Sequence, residues 1–421
     1  MLFRFVVPTV LLLVQLMLYL RLRRWFKTAT PEWKRLEPLA TTLFAIFNAA
    51  AIMVFAVRPR ILSWPEWLMI SAVYPFYVWH GATFFIGLIL LCVSLIKLPA
   101  QILLWIARRI PVTKRRLELL HGHPGFQRFD AGRRVFLRRS VAGLATVSFS
   151  SYAYGMFVGT ERLDVTNQTF LIPNLHPDLS GFTIGLITDV HSGVFMTRSH
   201  MEEYVATVNS LNTDLIAVVG DFVTSSVDEV YPFGEAFSRL HAPYGVVGVT
   251  GNHEFYTQDP SLVIREVEQC GIRLLRDDKM VVTKNTGSFY LIGVDDPAIR
   301  STPTVKLDAA IGSAPLSIPR ILLCHRPYYI ANAADRNIDL ILSGHTHGGQ
   351  IVLGRVGNTI LAPATIASPY VAGTYTFGTT IMYVSRGVGT VGLPVRINCP
   401  PEISKITLVT TDATGATNAR Q

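Results

Sequence analysis

Phe182-Thr183-Ile184-Gly185-Leu186-Ile187-Thr188-Asp189-Val190-His191 is a short apolar run that stops at an Asp-x-His pair. Residues 184–188 read as a buried strand, being uncharged and rich in branched side chains. Side chains at i and i+2 of an extended chain point the same way, so Asp189 and His191 can reach one cation. The pattern recurs. Residues 215–219 lead into Gly220-Asp221, and residues 246–250 lead into Gly251-Asn252-His253-Glu254. Residues 321–324 end at Cys324-His325, and residues 340–343 lead into Gly344-His345-Thr346-His347. Residues 289–294, 381–385 and 403–409 read as further strands. Helical patterns cover 199–211, 233–240 and 260–270, the last with Pro260 in its first turn. Strand–helix alternation then gives way to strands only. This predicts an α/β fold with mixed sheets and not a doubly wound parallel one.

Two aspartates, one asparagine and five histidines at strand ends suit a pair of borderline divalent cations. Asp221 has two carboxylate oxygens and can bridge two ions. Asn252 offers a neutral carbonyl oxygen, and His325 an imidazole. His345 and His347 can go to different ions. Two divalent cations carry +4, and two aspartates with one hydroxide return −3, which leaves room for a phosphate ester oxygen. His253 is placed to protonate a leaving oxygen, with Glu254 holding its ring. Any one of these motifs alone is more often structural; their combination carries the inference.

The charge is divided between the two ends of the chain. Up to Thr160 there are 20 Lys and Arg against 5 Asp and Glu, a balance of +15; the remainder balances at −6. The net +9 is therefore no sign of a nucleic-acid surface in the C-terminal region. The basic residues flank apolar segments. Residues 5–20 (with 1–4 added), 39–57, a block at 64–106 and 141–158 are expected to give four spans. The block should break into an interfacial piece (67–72), a span (74–96) and an interfacial tail. Arg and Lys crowd the loops after the first and third spans. This puts those loops in the cytoplasm, the N-terminus outside and everything beyond about Thr160 outside. Arg133-Arg134 before the fourth span resembles a twin-arginine signal, though paired arginines are also ordinary positive-inside residues. His80, alone in its span without an acidic partner, reads as a packed or interfacial histidine. Cys92, Cys270, Cys324 and Cys399 show no pairing pattern and read as small apolar residues, with one disulfide among the last three as an alternative.

The series Asp-x-His, Gly-Asp, Gly-Asn-His-Glu, His, Gly-His-x-His over residues 182–409 resembles the calcineurin-like metallophosphoesterase superfamily. Residues 344–350 (GHTHGGQ), Ser385-Arg386-Gly387 and Pro401-Glu402-Ile403 resemble its YaeI/YkuE-like membrane-associated branch. The resemblance implies a four-layer α/β/β/α sandwich. It also implies a first metal held by Asp189, His191, Asp221 and His347, and a second held by Asp221, Asn252, His325 and His345, with His253 as the acid. The ions would be of the Mn, Fe or Zn class. Arg326 departs from common relatives and admits two readings, a contact to substrate phosphate or a surface salt bridge.

Gly387-Val388-Gly389-Thr390-Val391-Gly392 matches a dinucleotide fingerprint, but Pro394 denies it the helix that should follow. A glycine turn lining the cleft is expected instead. The sequon at Asn167 is expected to be silent. The expected organisation is a membrane region at 1–159, a catalytic domain at 160–410 and a flexible tail at 411–421. The expected activity is hydrolysis of a phosphodiester or phosphomonoester, lipid-linked or from the envelope, with no nucleic-acid partner. Small nucleotides are an alternative substrate, and a non-enzymatic scaffold is the rival class.

Overall fold

The computed structural model describes residues 3–57, 64–296, 303–357 and 359–410. The expected tail at 411–421 lies outside them. The chain divides into two compact units, Met1–Tyr154 and Gly155–Gln421.

The first unit is helical. Among the described residues three stretches are long and apolar enough to cross a membrane: Pro31–Met53, Met69–Ala107 and Pro124–Gly159. These overlap the second, third and fourth expected spans. The first lies in the helix Phe3–Thr28, but several side chains at its start lie outside the described residues. Within the block at 64–106, the expected span and its tail fall on one helix. Tyr74–Ala107 is one helix of 34 residues that runs through Pro99. His80 is buried, with Nδ1 3.0 Å from the Phe76 carbonyl and its ring 4.3 Å from the Phe76 ring, as a packed histidine would be.

The second unit carries the strands. The first seven are β1 (Asp164–Ile172), β2 (Phe182–Thr188), β3 (Leu215–Val219), β4 (Val246–Val249), β5 (Arg273–Leu274), β6 (Asp278–Lys284) and β7 (Gly287–Gly293). The rest are β8 (Arg320–Leu323), β9 (Leu340–Ser343), β10 (Gly354–Val356), β11 (Thr359–Leu361), β12 (Gly373–Phe377), β13 (Thr380–Val384) and β14 (Glu402–Thr410). One six-stranded sheet runs β1-β14-β2-β3-β4-β5 and the other β12-β13-β9-β8-β7-β6, with β10 and β11 as a separate hairpin. Both sheets are mixed. In the first, β14 is antiparallel to β2 while the other pairs are parallel. In the second, the edge pairs β12/β13 and β6/β7 are antiparallel around a parallel centre.

Period-two alternation explains the unbroken apolar runs, because both faces of the central strands are covered. Leu186, Ala217 and Val247 of the first sheet share a cluster with Leu291, Leu323 and Leu342 of the second. Their neighbours Ile187, Ile216 and Val218 turn the other way, onto Val205, Phe233 and Val263 of the helices Arg198–Ser210, Val230–Phe237 and Pro260–Gln269. Each fully buried side chain of this kind contributes roughly 1.5–3 kcal/mol.

The second half of the unit is not strands only, as expected. Helices Pro303–Ile311 and Ile330–Ala334 lie between its strands. Leu307, Ala310, Ile330 and Ala333 pack there on Ile292, Leu322 and Ile341. At nine and five residues these helices are too short for a clear 3.6-residue pattern.

Candidate metal centre

Parallel pairing sets the ends of β2, β3 and β4 side by side, and those of β8 and β9 likewise. Asp189, Asp221 and Asn252 follow the first three; His325 and His345 follow the other two. The chain turns sharply at each. Asp189, His191, Asp221, His345 and His347 all have positive φ, between 50° and 75°. Such angles are uncommon outside glycine, and five at one place mark backbone held under strain by its surroundings.

The side chains form two groups. Asp189, His191, Asp221 and His347 offer ligand atoms that all lie within 4.8 Å of one another, and so do Asp221, His325 and His345. Asp221 belongs to both. Its Oδ2 lies 3.0 Å from His325 Nε2 and 3.4 Å from His191 Nε2. His347 Nε2 is 3.5 Å from Asp189 Oδ1, and His345 Nδ1 is 3.3 Å from His325 Nε2. All but His345 are buried. Asn252 is also buried, flanked by His253, whose N–H donates to Asp221 Oδ1 at 3.0 Å.

Backbone carbonyls select the nitrogen that three of the rings turn inward. His325 Nδ1 faces the Val219 carbonyl at 3.2 Å and His347 Nδ1 that of Gly389 at 3.3 Å, so both direct Nε2 to the cluster. His253 Nδ1 is bonded to the Thr224 carbonyl, which leaves Nε2 as the atom able to give or take a proton.

The charges favour a cation. Burial lowers His347 well below the ordinary histidine value, with His191 adding to the effect, and burial with the His325 charge brings His345 down to about 3. Both are neutral donors. Burial also opposes a charge on His325, yet Asp221, Asp189 and Asp296 outweigh it and push the ring up to about 10. Asp221 is the counterpart. Burial pushes its carboxyl up, but His325 and His191 hold it well below the usual range. Asp189 is raised by burial, against the pull of His325. This is a buried Asp and His cluster able to bind a metal.

Glu254 does not hold the His253 ring, contrary to expectation. Its carboxylate accepts the backbone N–H groups of Gly251 (2.6 Å), Phe222 (2.7 Å), Asp221 (3.2 Å) and Val223 (3.4 Å), and so fixes the Asp221 turn. Burial, then the Asp221 charge, pushes Glu254 up to about 7. The ring of His253 is held instead by the turn at Thr224, whose N–H, with those of Ser225 and Ser226, donates to Glu229. Thr224 carries no local sequence signal, whereas Glu229 closes a Ser226-x-x-Glu229 capping box that could have flagged this turn.

The Gly387–Gly392 segment lies against Asp189. Val388 N–H donates to the Thr188 carbonyl at 3.1 Å and Gly389 N–H to that of Asp189 at 2.8 Å, and no helix follows. Behind it, fully buried Arg396 donates to the carbonyls of Gly387, Gly389, Arg386 and Cys399. Arg386 and Glu402, from the two late motifs, form an ion pair at 2.8 Å. All four cysteines are free, so no disulfide forms.

Residues 182–349 match the family model for calcineurin-like phosphoesterases. The chain is 31% identical over 297 residues to a bovine (Bos taurus) "transmembrane protein with metallophosphoesterase domain", a match covering 66% of this chain and 64% of that one. It therefore spans just under two thirds of that relative's length. It is 28% identical over 287 residues to the Bacillus subtilis "uncharacterized metallophosphoesterase YkuE", covering 66% of this chain and 98% of the relative. It is 30% identical over 284 residues to the Escherichia coli "phosphodiesterase YaeI", covering 66% of this chain and 99% of the relative. With its motifs gathered into one buried cluster and these relatives aligned across the same region, the chain belongs to the calcineurin-like phosphoesterase family, in the branch that holds YaeI and YkuE.

Proposed function

We propose that this protein is a membrane-anchored, metal-dependent phosphoesterase that hydrolyses a phosphodiester or phosphomonoester at a dinuclear centre. The observation that carries the reading is that Asp221 belongs to two ligand groups at once. One ion would be held by Asp189, His191, Asp221 and His347; the other by Asp221, Asn252, His325 and His345. Divalent cations at such a site supply Lewis acidity toward phosphoryl oxygens and water acidic enough to attack phosphorus. His253 Nε2, with Nδ1 committed to Thr224, delivers a proton to the departing oxygen. Glu254 and Glu229 hold the turns that carry Asp221 and Thr224.

The reading extends to the whole chain. Residues 1–159 form a four-span anchor, with the basic loops cytoplasmic and residues 160–410 outside as a four-layer α/β/β/α domain. Apolar clusters between the sheets and under the helices support the layering. A domain tethered beside a bilayer favours a lipid-linked or envelope phosphoester, and its negative balance disfavours nucleic acid.

The test uses purified full-length protein loaded with Mn²⁺, Fe²⁺ or Zn²⁺ and assayed on aryl phosphodiesters and monoesters. Turnover lost on chelation and restored by metal is expected; turnover indifferent to chelation refutes the reading. Reporter fusions after Gly159 that behave as cytoplasmic would overturn the orientation.

A further inference from the structure

Asp296 is a buried carboxylate beside the cluster but not among its ligand groups. It follows β7 in a segment locked to the end of β4. The Thr250 hydroxyl donates to Asp295 at 2.7 Å and accepts the Asp296 N–H at 3.3 Å, while Asp295 also takes a two-point ion pair from Arg276. The Asp296 side chain is 1% exposed, and among the described residues neither oxygen has a hydrogen-bond partner. Its one ion-pair contact among the described residues is with Arg326 Nε, at 2.9 Å. The same Nε donates a hydrogen bond to Asn252 Oδ1 at 3.4 Å.

Removing a carboxylate from water for one side-on contact costs more than the contact returns. A guanidinium serving only as a counter-ion would engage the carboxylate with its two-pronged edge. Here the closest approach to the carboxylate is by Nε, and the guanidinium's hydrogen bond among the described residues is also from Nε. Nη1 and Nη2 have no hydrogen-bond partner among the described residues, and the side chain is 23% exposed. A rigid fork of donors is thus left open beside Asn252 and His325. Planar forks of this kind match pairs of phosphate oxygens.

We propose that Arg326 binds the nonbridging oxygens of the substrate phosphate through Nη1 and Nη2, and that Asp296 is the positioning residue that fixes the guanidinium by its Nε. The inference rests on the phosphoesterase reading and names the group that recognises the phosphate.

The experiment compares full-length, Mn²⁺-loaded wild type with Arg326→Ala, Arg326→Lys, Asp296→Asn and the Arg326→Ala/Asp296→Asn double variant. Bis(p-nitrophenyl) phosphate is the substrate and inorganic phosphate the competitive inhibitor; metal content is measured in parallel. Arg326→Ala is expected to raise KM and the phosphate Ki about tenfold to hundredfold, the worth of a charged hydrogen bond, with bound metal unchanged. Arg326→Lys should recover part of this, since an ammonium keeps the charge but not the fork. Asp296→Asn should shift KM the same way and add nothing in the Arg326→Ala background. Unmoved KM and Ki in Arg326→Ala, beside an active wild type, overturn this inference alone. An Asp296→Asn effect that persists in full without Arg326 overturns the positioning role. A wild type inert with every metal overturns the phosphoesterase reading and this inference with it.

Discussion

His191 and His347, 156 residues apart in sequence, face each other Nε2 to Nε2 at 3.1 Å. Two neutral imidazoles can share one proton there, but a cation uses both lone pairs at once. Among the described residues His191 Nδ1 has no hydrogen-bond partner, so the ring's polar contacts, to His347 and Asp221, all fall on Nε2. With Asp189 and Asp221 the pair forms a four-residue group able to hold an ion.

Asp221 joins both ligand groups, and its loss should disable both. Asp221→Asn is expected to lower bound metal and to reduce turnover by more than the roughly 10–100-fold typical of outer-shell changes. Elemental analysis of the purified variant, alongside its rate, checks this. Full metal content would separate Asp221 from metal binding.

Gly220 precedes Asp221 with φ of +72°, and a Cβ there would lie 2.6 Å from His325 Cγ. Gly220→Ala combines backbone strain of about 1–2 kcal/mol with displacement of His325. A lower denaturation midpoint and weaker metal binding are expected, with the metal effect partly relieved at high metal concentration.

Arg396 is buried with no carboxylate partner among the described residues, and donates to main-chain carbonyls and, at 3.9 Å, to the Cys399 sulfur. One of those carbonyls, on Gly389, also receives His347 Nδ1. Arg396→Met should orphan these groups at a cost of at least about 2 kcal/mol and loosen His347. Chemical denaturation and metal titration should both shift; a change in stability alone would confine Arg396 to the fold.

Glu402 is 3% exposed. Burial pushes its carboxyl up, but Arg386 and the hydroxyls of Thr166 and Tyr383 outweigh this and hold it below the usual 4.5. A value depressed in the folded state gives stability that is complete above about pH 4.5 and lost as pH falls through the folded value. Between neutral pH and about pH 3.5, Glu402→Gln should therefore lose less stability than wild type in denaturation curves. Arg386→Ala, which leaves the charge buried and unpaired, should cost about 3–5 kcal/mol at neutral pH.

The strands that end in Asp189, Asp221, Asn252, His325 and His345 were legible because burial on both faces demands unbroken apolar runs, and a polar residue ends each run where the chain leaves the sheet. The apolar helices were legible for a similar reason: their length and composition are local properties. β1 was not, since its alternating residues 164–172 declare themselves only when paired along β14, from Asp164↔Glu402 onward. The short helices Pro303–Ile311 and Ile330–Ala334 were hidden by their length.

Sequence alone determined which Asp and His side chains gather into the buried cluster and that they sit at strand ends. It could not determine what steadies them. Glu254 stands next to His253 in sequence yet serves the Asp221 turn, while His253 depends on Thr224, 29 residues away. Asp296 reaches Arg326 and Arg396 reaches Gly389 only across folded segments. Ligand identity is written in residue type and local spacing; orientation is decided by hydrogen bonds between distant turns, which exist only once the parallel strands have brought their ends to one edge.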